Sequence, residues 1–234
     1  MAILAVTVGA VKESSAQTIE VDKPASLVTG NYMVMLASSA DSGGAIDISI
    51  DEASQPWTLI KQEKMSVGID GTMAMFYRKI TGAEAAAITV NISGGTNRSI
   101  TGVIAQYSGV DATTALDAAA TSTTDQSTTD YDPPAITTVT ANAFVITAVY
   151  GRVGTIGIPN APTGYTKYGT ATASTSYTAM AYIDAGATGS EDPAVWASFT
   201  NAASCMGITM ALRPAGAAAA VAPLAFHHLT KNIG

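Results

Sequence analysis

Histidine and cysteine, the side chains that most often supply bases, nucleophiles and metal ligands, are nearly missing from this chain. The two histidines are neighbours, His227 and His228, and the single cysteine is Cys205. Adjacent side chains on a strand point to opposite faces, so the histidines are not expected to bind one metal ion. No other histidine is present to activate a serine or cysteine, and Cys205 lies in a strand pattern typical of a small buried side chain. We therefore expect no enzyme activity, no catalytic residue, no metal site and no cofactor.

Carboxylates are the remaining candidates for chemistry. Asp47 and Asp51 lie in a run that alternates with isoleucines, which predicts the solvent face of one strand. Asp130 and Asp132 flank a tyrosine and carry oxygen ligands of the kind that calcium prefers, but the dense spacing of a dedicated calcium loop is missing. A glycosidase needs two carboxylates that face each other across a groove, which spacing alone does not predict. Solvated strand faces and loops are the simpler interpretation of these aspartates.

Two aromatic residues in predicted turns are candidates for binding a carbohydrate. Trp57 directly follows Pro56, and Tyr165 follows Pro162 by three residues. An aromatic ring exposed in a turn offers a flat face on which a sugar can stack. Trp57 and Tyr165 are therefore candidate glycan contacts, with a role in the core as the alternative.

Composition excludes several classes of partner. Charged residues are 12% of the 234 residues, and the net charge is −7, whereas a typical domain has about 25% charged residues. A surface poor in charge suits a protein that is packed against neighbours. The eleven basic residues are scattered, so no patch is available to neutralise phosphates and nucleic acid is not an expected partner. No apolar run reaches the roughly 18 residues of a membrane-spanning helix, so no membrane is expected either.

Apolar and polar residues alternate with a period of two through most of the chain. This pattern predicts an all-β fold, and we expect an antiparallel, jelly-roll-like β-sandwich. Residues 46–51 alternate isoleucine with aspartate or serine, which puts the isoleucines inside. Asp70-Gly71 and Gly94-Gly95 each separate two strand-like runs and read as hairpin turns. Helix is expected only as one short turn at 81–87 and as a short helix around Pro223 within 215–229.

The strand pattern occurs twice in the same order, which predicts an internal duplication. Pseudo-repeats cover about 31–110 and 136–213 within a sandwich formed by 1–214, and a Thr-rich connector of residues 111–135 joins them as a long ordered loop or edge segment. The alignment matches Asn31 with Asn142 in the first strand of each copy. The alternative is that any alternating β protein aligns with itself, and the pattern leaves open whether the halves form one sandwich or two lobes.

Residues 215–234 follow the second copy as a C-terminal arm. An alanine-rich bridge is followed by apolar side chains that have no counterpart in the repeat, namely Leu224, Phe226, Leu229 and Ile233. Apolar side chains outside the repeated unit need a surface to cover them. We expect them to dock on a partner, with folding back onto the same chain as the alternative.

Four motifs along the chain resemble those of a known family. They are Lys23–Asn31 before an apolar strand, the turn Gln55-Pro56-Trp57-Thr58, the segment Tyr107-Ser108-Gly109-Val110-Asp111 at the end of the first copy, and the final Leu212-Arg213-Pro214. In this order they resemble the small β-sandwich virion structural proteins of tailed bacteriophages. The resemblance covers about residues 3–214.

The resemblance implies a virion structural protein without enzyme activity. The favoured role is a capsid decoration or cement protein on the capsid surface, with the major capsid protein or other virion subunits as partners and a homo-oligomer, preferably a trimer, as its state. The alternative is a tail, fibre or baseplate component with a carbohydrate- or receptor-binding role.

Overall fold

The computed structural model describes residues 2–9, 12–40, 46–52, 56–65, 71–82, 84–85, 87–94, 99–152, 159–173, 176–197 and 203–216. Within these ranges the chain forms sixteen β-strands and no helix, and every strand pair is antiparallel. The strands are β1 Leu4–Val8, β2 Lys12–Ser14, β3 Thr18–Asp22, β4 Tyr32–Ala40, β5 Asp47–Ile50, β6 Thr58–Met65, β7 Gly71–Lys79, β8 Ala87–Ser93, β9 Ser99–Ser108, β10 Leu116–Thr128, β11 Ile136–Thr138, β12 Phe144–Arg152, β13 Thr166–Ala173, β14 Ser176–Asp184, β15 Gly189–Glu191 and β16 Ala203–Leu212.

The first nine strands form two sheets. The larger has the order β1-β9-β4-β7-β6, with β2 also beside β9, and the smaller has the order β3-β8-β5. When β1 and β2 are taken as one interrupted edge strand, this is the strand order of a jelly roll, except that β6 pairs with β7 in the larger sheet. The antiparallel, jelly-roll-like sandwich predicted from the sequence is therefore confirmed.

The remaining seven strands repeat that arrangement. Their larger sheet has the order β10-β16-β12-β14-β13, and β11 pairs with β15 in a small second sheet. Isolated bridges join Tyr131 to Trp196 and Asn160 to Ala197. The segment that contains β15, Trp196 and Ala197 therefore lies between two other segments. One contains Tyr131 and β11 and the other contains Asn160, just as β8 lies between β3 and β5. Each half of the chain is thus built on the same topology.

Strand register shows which residues of the two halves correspond. Tyr32 begins β4 and pairs with the last residue of β7, and Phe144 begins β12 and pairs with the last residue of β14. Tyr32 therefore corresponds to Phe144, and the alignment of Asn31 with Asn142 is wrong by one residue. A slip of one residue exchanges the two faces of a strand. In the last strand the sequence alignment is right, because Gly102 in β9 corresponds to Gly207 in β16.

The two larger sheets pack face to face and share one core, so the halves form a single body instead of separate lobes. Alternate side chains of both sheets enter this core. From the first half they include Tyr32, Val34, Leu36, Met73, Met75, Val103 and Tyr107, and from the second Phe144, Ile146, Tyr150, Met180, Met206, Ile208, Met210 and Leu212. The edge strand β6 packs on β16 and β10, and its counterpart β13 packs on β9 and β2. This reciprocity is that of a two-fold symmetric dimer joined into one chain.

The outer face of each large sheet is covered by its own small sheet. In the first half, Met33, Met35 and Ala37 pack on apolar side chains from β3, β5 and β8. In the second half, Val149 and Tyr177 pack around Tyr131, Trp196 and Cys205, and a smaller cluster forms beside β11. Both faces of β4 are therefore fully buried. Burial of this kind is the main favourable contribution to folding.

Polar side chains cross the shared core at one end. The hydroxyl of Thr101 is 2.7 Å from that of Ser38 and 2.7 Å from that of Thr178, which links β9 and β4 of the first half to β14 of the second. Elsewhere in the core the hydroxyls of Tyr107 and Tyr168 are hydrogen-bonded across the halves, and burial raises the pKa of Tyr107 well above its usual value. These bonds add directional contacts to an otherwise apolar interface.

Several local predictions can be compared with the strands. The alternation in 46–51 is confirmed, since Ile46 and Ile48 are buried and Asp47 is exposed. The hairpin predicted from Asp70-Gly71 is confirmed as the pairing of β6 with β7, but Gly71 already belongs to β7 and pairs with Met65, and residues 66–70 lie outside the described residues. A hairpin at Gly94-Gly95 is wrong, because β8 and β9 belong to different sheets and the chain crosses between them.

Three other predicted segments have different outcomes. The connector at 111–135 contains β10, an edge strand of thirteen residues, as the edge-segment prediction required. The described residues in 81–87 form no helical turn. The predicted arm beyond residue 216 lies outside the described residues.

Candidate functional site

The two aromatic residues singled out from the sequence occupy the same position in the two halves. Trp57 directly precedes β6, whose first residue pairs with Tyr77, and Tyr165 directly precedes β13, whose first residue pairs with Tyr182. Tyr77 and Tyr182 themselves correspond. Both candidate side chains are partly buried. The shared position agrees with the repeat in the sequence, in which the turn that contains Trp57 is matched with the turn that contains Tyr165.

Trp57 is held by charged neighbours. Its indole Nε1 donates a hydrogen bond to Glu52 Oε2 over 3.0 Å, and the guanidinium carbon of Arg78 lies 5.3 Å from the ring centroid. A guanidinium above an indole face is a favourable cation–π contact. The ring also packs against the core between β4 and the first small sheet. One ring face is therefore engaged by Arg78.

Arg78 is the centre of a buried ion cluster that sequence reasoning missed. Its Nη1 lies 2.7 Å from Glu52 Oε2, and its Nη2 forms an ion pair with the carboxylate of Glu84. All three side chains are buried. Both carboxylates are paired with the Arg78 guanidinium, and the arrangement suits fixing the ends of β5 and β7. The signal in the sequence is one arginine at the end of an otherwise apolar run, 73–77.

Tyr165 is held in a similar way by an acidic residue. Its hydroxyl donates a hydrogen bond to Glu191 Oε1 over 2.9 Å. Burial, followed by the nearby charge of Glu191, raises the pKa of Tyr165 far above its usual value. The ring packs beside Ala161 and the two outer clusters of the second half. That Trp57 and Tyr165 contact a glycan stays a prediction, and both side chains already hold structural contacts.

An open groove of about 700 Å³ lies next to the end of β1. Backbone and side chains from β1, the segment after β3 and the turn after β7 line it, including Val8, Lys23, Leu27 and Glu84. Lys23 Nζ donates to the backbone oxygen of Glu84 over 3.4 Å. The lining mixes one cation, carboxylates, hydroxyls and apolar groups.

The start of the C-terminal arm is fixed to the body. Arg213 forms an ion pair of 3.5 Å with the fully buried carboxylate of Asp117, and Ala215 N donates to Gly109 O over 2.7 Å. Asp117 also accepts hydrogen bonds from the backbone N–H groups of Val139 (2.7 Å) and Thr140 (3.3 Å). The chain therefore leaves the sandwich from a rigid point.

The linker between the halves lies against this exit. Asp111 N donates to Arg213 O over 2.8 Å. The carboxylate of Asp111 accepts bonds from Thr114 N, the Thr113 hydroxyl and Thr113 N, and these bonds hold the pKa of Asp111 below its usual range. The arm residues Leu224, Phe226, Leu229 and Ile233 follow this exit in sequence and lie outside the described residues.

The cysteine and the two histidines are the remaining chemical candidates. Cys205 is fully buried, with its Sγ 3.5 Å from the Tyr177 hydroxyl. The two histidines lie outside the described residues. Among the residues that the structure describes, no three histidine, cysteine or carboxylate side chains come together as a metal site. Within the same ranges no helix is long and apolar enough to cross a membrane.

Comparison with known proteins gives a distant structural likeness. No family model and no curated protein matches the sequence. Among solved structures, the STIV MCP, a viral major capsid protein, aligns with 88% of this chain and 97% of its own chain, at 12% identity and a TM-score of 0.27. At this TM-score the likeness adds nothing to the topology described above.

Proposed function

We propose that this chain is a structural protein of a tailed bacteriophage virion, most specifically a capsid decoration or cement protein that bridges neighbouring capsid subunits. The observation that carries the proposal is the fixed exit of an apolar arm from a rigid body. Arg213 and Ala215 tie the last described residues to Asp117 and Gly109. The apolar side chains of residues 221–233 follow directly in the sequence.

The body and the arm have separate roles in this proposal. The two jelly rolls share a core and supply a body that resists deformation, and jelly rolls are common in viral capsid and lectin domains. The arm supplies apolar area for a partner surface. A stable protein interface buries about 1,600 Å², and repeating such a contact at every site would strengthen a shell. The partners are the major capsid protein or other virion subunits, and the protein acts as a homo-oligomer, with a trimer favoured.

The test is reconstitution on particles. Virions of the phage that encodes the chain are stripped of the protein and incubated with the intact chain or with a variant that lacks residues 217–234. We expect the truncated variant to lose binding because the apolar docking residues are gone, while its melting temperature stays unchanged. Binding is measured by co-sedimentation and by electron microscopy of the particles.

Two matched variants separate apolar docking from other effects of the arm. One replaces Leu224, Phe226 and Leu229 by serine, and the control replaces His227, His228 and Lys231 by serine in the same segment. We expect the first to lose particle binding and the second to keep it. If the truncated chain binds the particles with the affinity of the intact chain, the proposal is wrong.

A second candidate is a tail, fibre or baseplate protein that contacts a host carbohydrate. The observation that favours it is the partly exposed aromatic side chain at the same position of each half, Trp57 and Tyr165. A glycan array separates the candidates, since reproducible binding that is lost in Trp57→Ala supports the carbohydrate role. We favour decoration because Glu52, Arg78 and Glu191 already engage the polar atoms or the face of these rings.

A further inference from the structure

The edge strand β1 leaves part of its length open. In the described part of the chain, β9 is the only strand that pairs with β1. The far end of β1 is covered, because the hydroxyl of Thr7 donates to Ala25 O over 3.4 Å and Gly9 lies against the backbone of Asp22. At the near end, around Leu4, none of the described residues gives such cover, and Leu4 is exposed. Unpaired strand edges are ready templates for a further strand.

An apolar patch lies beside this open edge. Leu4 is 62% exposed and Val28 is 51% exposed, the two highest values among the large apolar side chains that the structure describes. Val28 N donates to Gln106 Oε1 over 2.8 Å, and Gln106 and the partner of Leu4, Ser108, lie on the same face of β9. Leu4 and Val28 are therefore on the same side of the sheet, and we call them the β1 patch.

The C-terminal arm begins next to the β1 patch. Ala215 is hydrogen-bonded to Gly109, and a Cβ placed on Gly109 would lie 2.5 Å from Ala2 O, so the backbones of Gly109 and Ala2 are in contact. The arm thus starts at the end of the sheet where β1 begins. Residues 217–234 can span up to about 60 Å when extended, at about 3.3 Å per residue, which is enough to reach a neighbouring molecule.

The direction of the chain favours an arm from another molecule. An arm that folded back along β1 of its own chain would start at the beginning of β1 and run in the same direction, which is a parallel pairing. Every strand pair in the described ranges is antiparallel, and parallel pairing is slightly less stable per residue. An arm from a second copy can approach from the opposite direction.

We propose that residues 224–230 of a second copy of this chain add as an antiparallel strand to the open edge of β1. Pro223 suits the start of such a strand, because it has no N–H to donate. Leu224 and Phe226 share one face of a strand and cover Leu4 and Val28 of the receiving molecule. Backbone hydrogen bonds supply affinity and the two side chains supply specificity, as in other cases of strand addition.

This contact is head to tail, so its repetition joins identical copies into a ring when the rotation between them closes and into a filament when it does not. It rests on the proposed docking role of the arm and names the receiving surface and the partner. Lys231 is the only charged residue after Gly216, whereas the whole chain has a net charge of −7.

The test is site-directed disulfide formation between two differently tagged full-length chains. One carries Leu4→Cys as receiver and the other carries Phe226→Cys as donor. Both keep Cys205, which is fully buried. The matched control receiver is Val139→Cys, whose exposed fraction in the wild type is 44% and which lies in the other half. A disulfide needs Cβ atoms about 3.5–4.5 Å apart, so a rapid cross-link reports direct docking.

We expect the Leu4→Cys and Phe226→Cys chains to form a mixed disulfide dimer, and the Val139→Cys control to form none above background. We also expect Leu4→Asp to weaken self-association about tenfold or more in sedimentation, as loss of a central interface side chain does, without changing the melting temperature.

Three results would overturn the inference. They are the absence of a mixed disulfide between the Leu4→Cys and Phe226→Cys chains, equal cross-linking of the Val139→Cys control, and a sedimentation coefficient of a monomer at all concentrations. Loss of particle binding on truncation together with any of these results would leave the proposed function standing and remove only the second copy as the partner.

Discussion

At the scale of single residues, two positive backbone angles mark the same turn in both halves. Gly30 has φ 93° and Asn142 has φ 59°, and each lies two residues before the first residue of β4 or β12. Asparagine tolerates this left-handed conformation better than other residues with a Cβ. Asn31, which the sequence alignment matches with Asn142, has no positive φ angle. The two asparagines therefore occupy different positions of the turn.

This difference gives a prediction about Asn142. Asn142→Ala should lower the free energy of unfolding by about 1 kcal/mol, because alanine is less tolerant of the left-handed region, and Asn142→Gly should restore most of the loss. The control is Asn31→Ala, which should change stability by less than about 0.5 kcal/mol. Urea unfolding measures all three, and equal losses at Asn31 and Asn142 would contradict the register of the two halves.

At the scale of elements, a glycine in the last strand of each half lets the small sheet approach the large one. A Cβ on Gly102 would lie 2.4 Å from Val21 Cγ2, and one on Gly207 would lie 2.7 Å from Tyr131 Cε1. Gly102 and Gly207 correspond by register. The same space is therefore filled by valine in one half and by tyrosine in the other.

The close approach at Gly102 can be tested by overpacking. Gly102→Ala should destabilise the protein by about 1–3 kcal/mol, because the added methyl overlaps Val21, although alanine alone is preferred to glycine in a strand. The double variant Gly102→Ala, Val21→Ala should lose less free energy of unfolding than the sum of the losses in the two single variants. A double-mutant cycle in guanidinium measures this coupling. Strictly additive losses would show that the two residues do not meet.

At the scale of the whole molecule, the shared core makes the halves one cooperative unit. Side chains of both large sheets, including Leu36 of the first half and Ile208 of the second, enter one apolar cluster. Each half would expose an apolar sheet face if the other unfolded. Partial unfolding is therefore costly, by about 25 cal/mol for each Å² of apolar surface that becomes exposed.

The two tryptophans make this cooperativity measurable. Trp57 lies in the first half and Trp196 in the second, and no other tryptophan is present. We expect the variants Trp57→Phe and Trp196→Phe, each followed by its remaining tryptophan, to show a single fluorescence transition that coincides with the loss of β-sheet circular dichroism. A fluorescence midpoint that departs from the circular-dichroism midpoint in either variant would mean that the halves unfold separately.

The sequence by itself predicted the all-β class, most strand positions and the existence of two similar halves. Strand periodicity and turn residues are local signals, so the alternation in residues 46–51 and the pairing of β6 with β7 followed directly from them. It also named Trp57 and Tyr165, which correspond in the two halves. It did not find the ion cluster of Arg78, because Glu52 and Glu84 come from separate loops and meet Arg78 only after folding.

Tertiary structure alone decided the register of the first repeated strand, the crossover at Gly94-Gly95 and the packing of one half on the other. The physical reason lies in β4, whose residues are buried on both faces. A strand covered on both sides has a continuous apolar sequence, so its pattern does not show which residues face which neighbour. Register there comes from hydrogen bonds and from partners distant in sequence, and these partners join the two halves into one body.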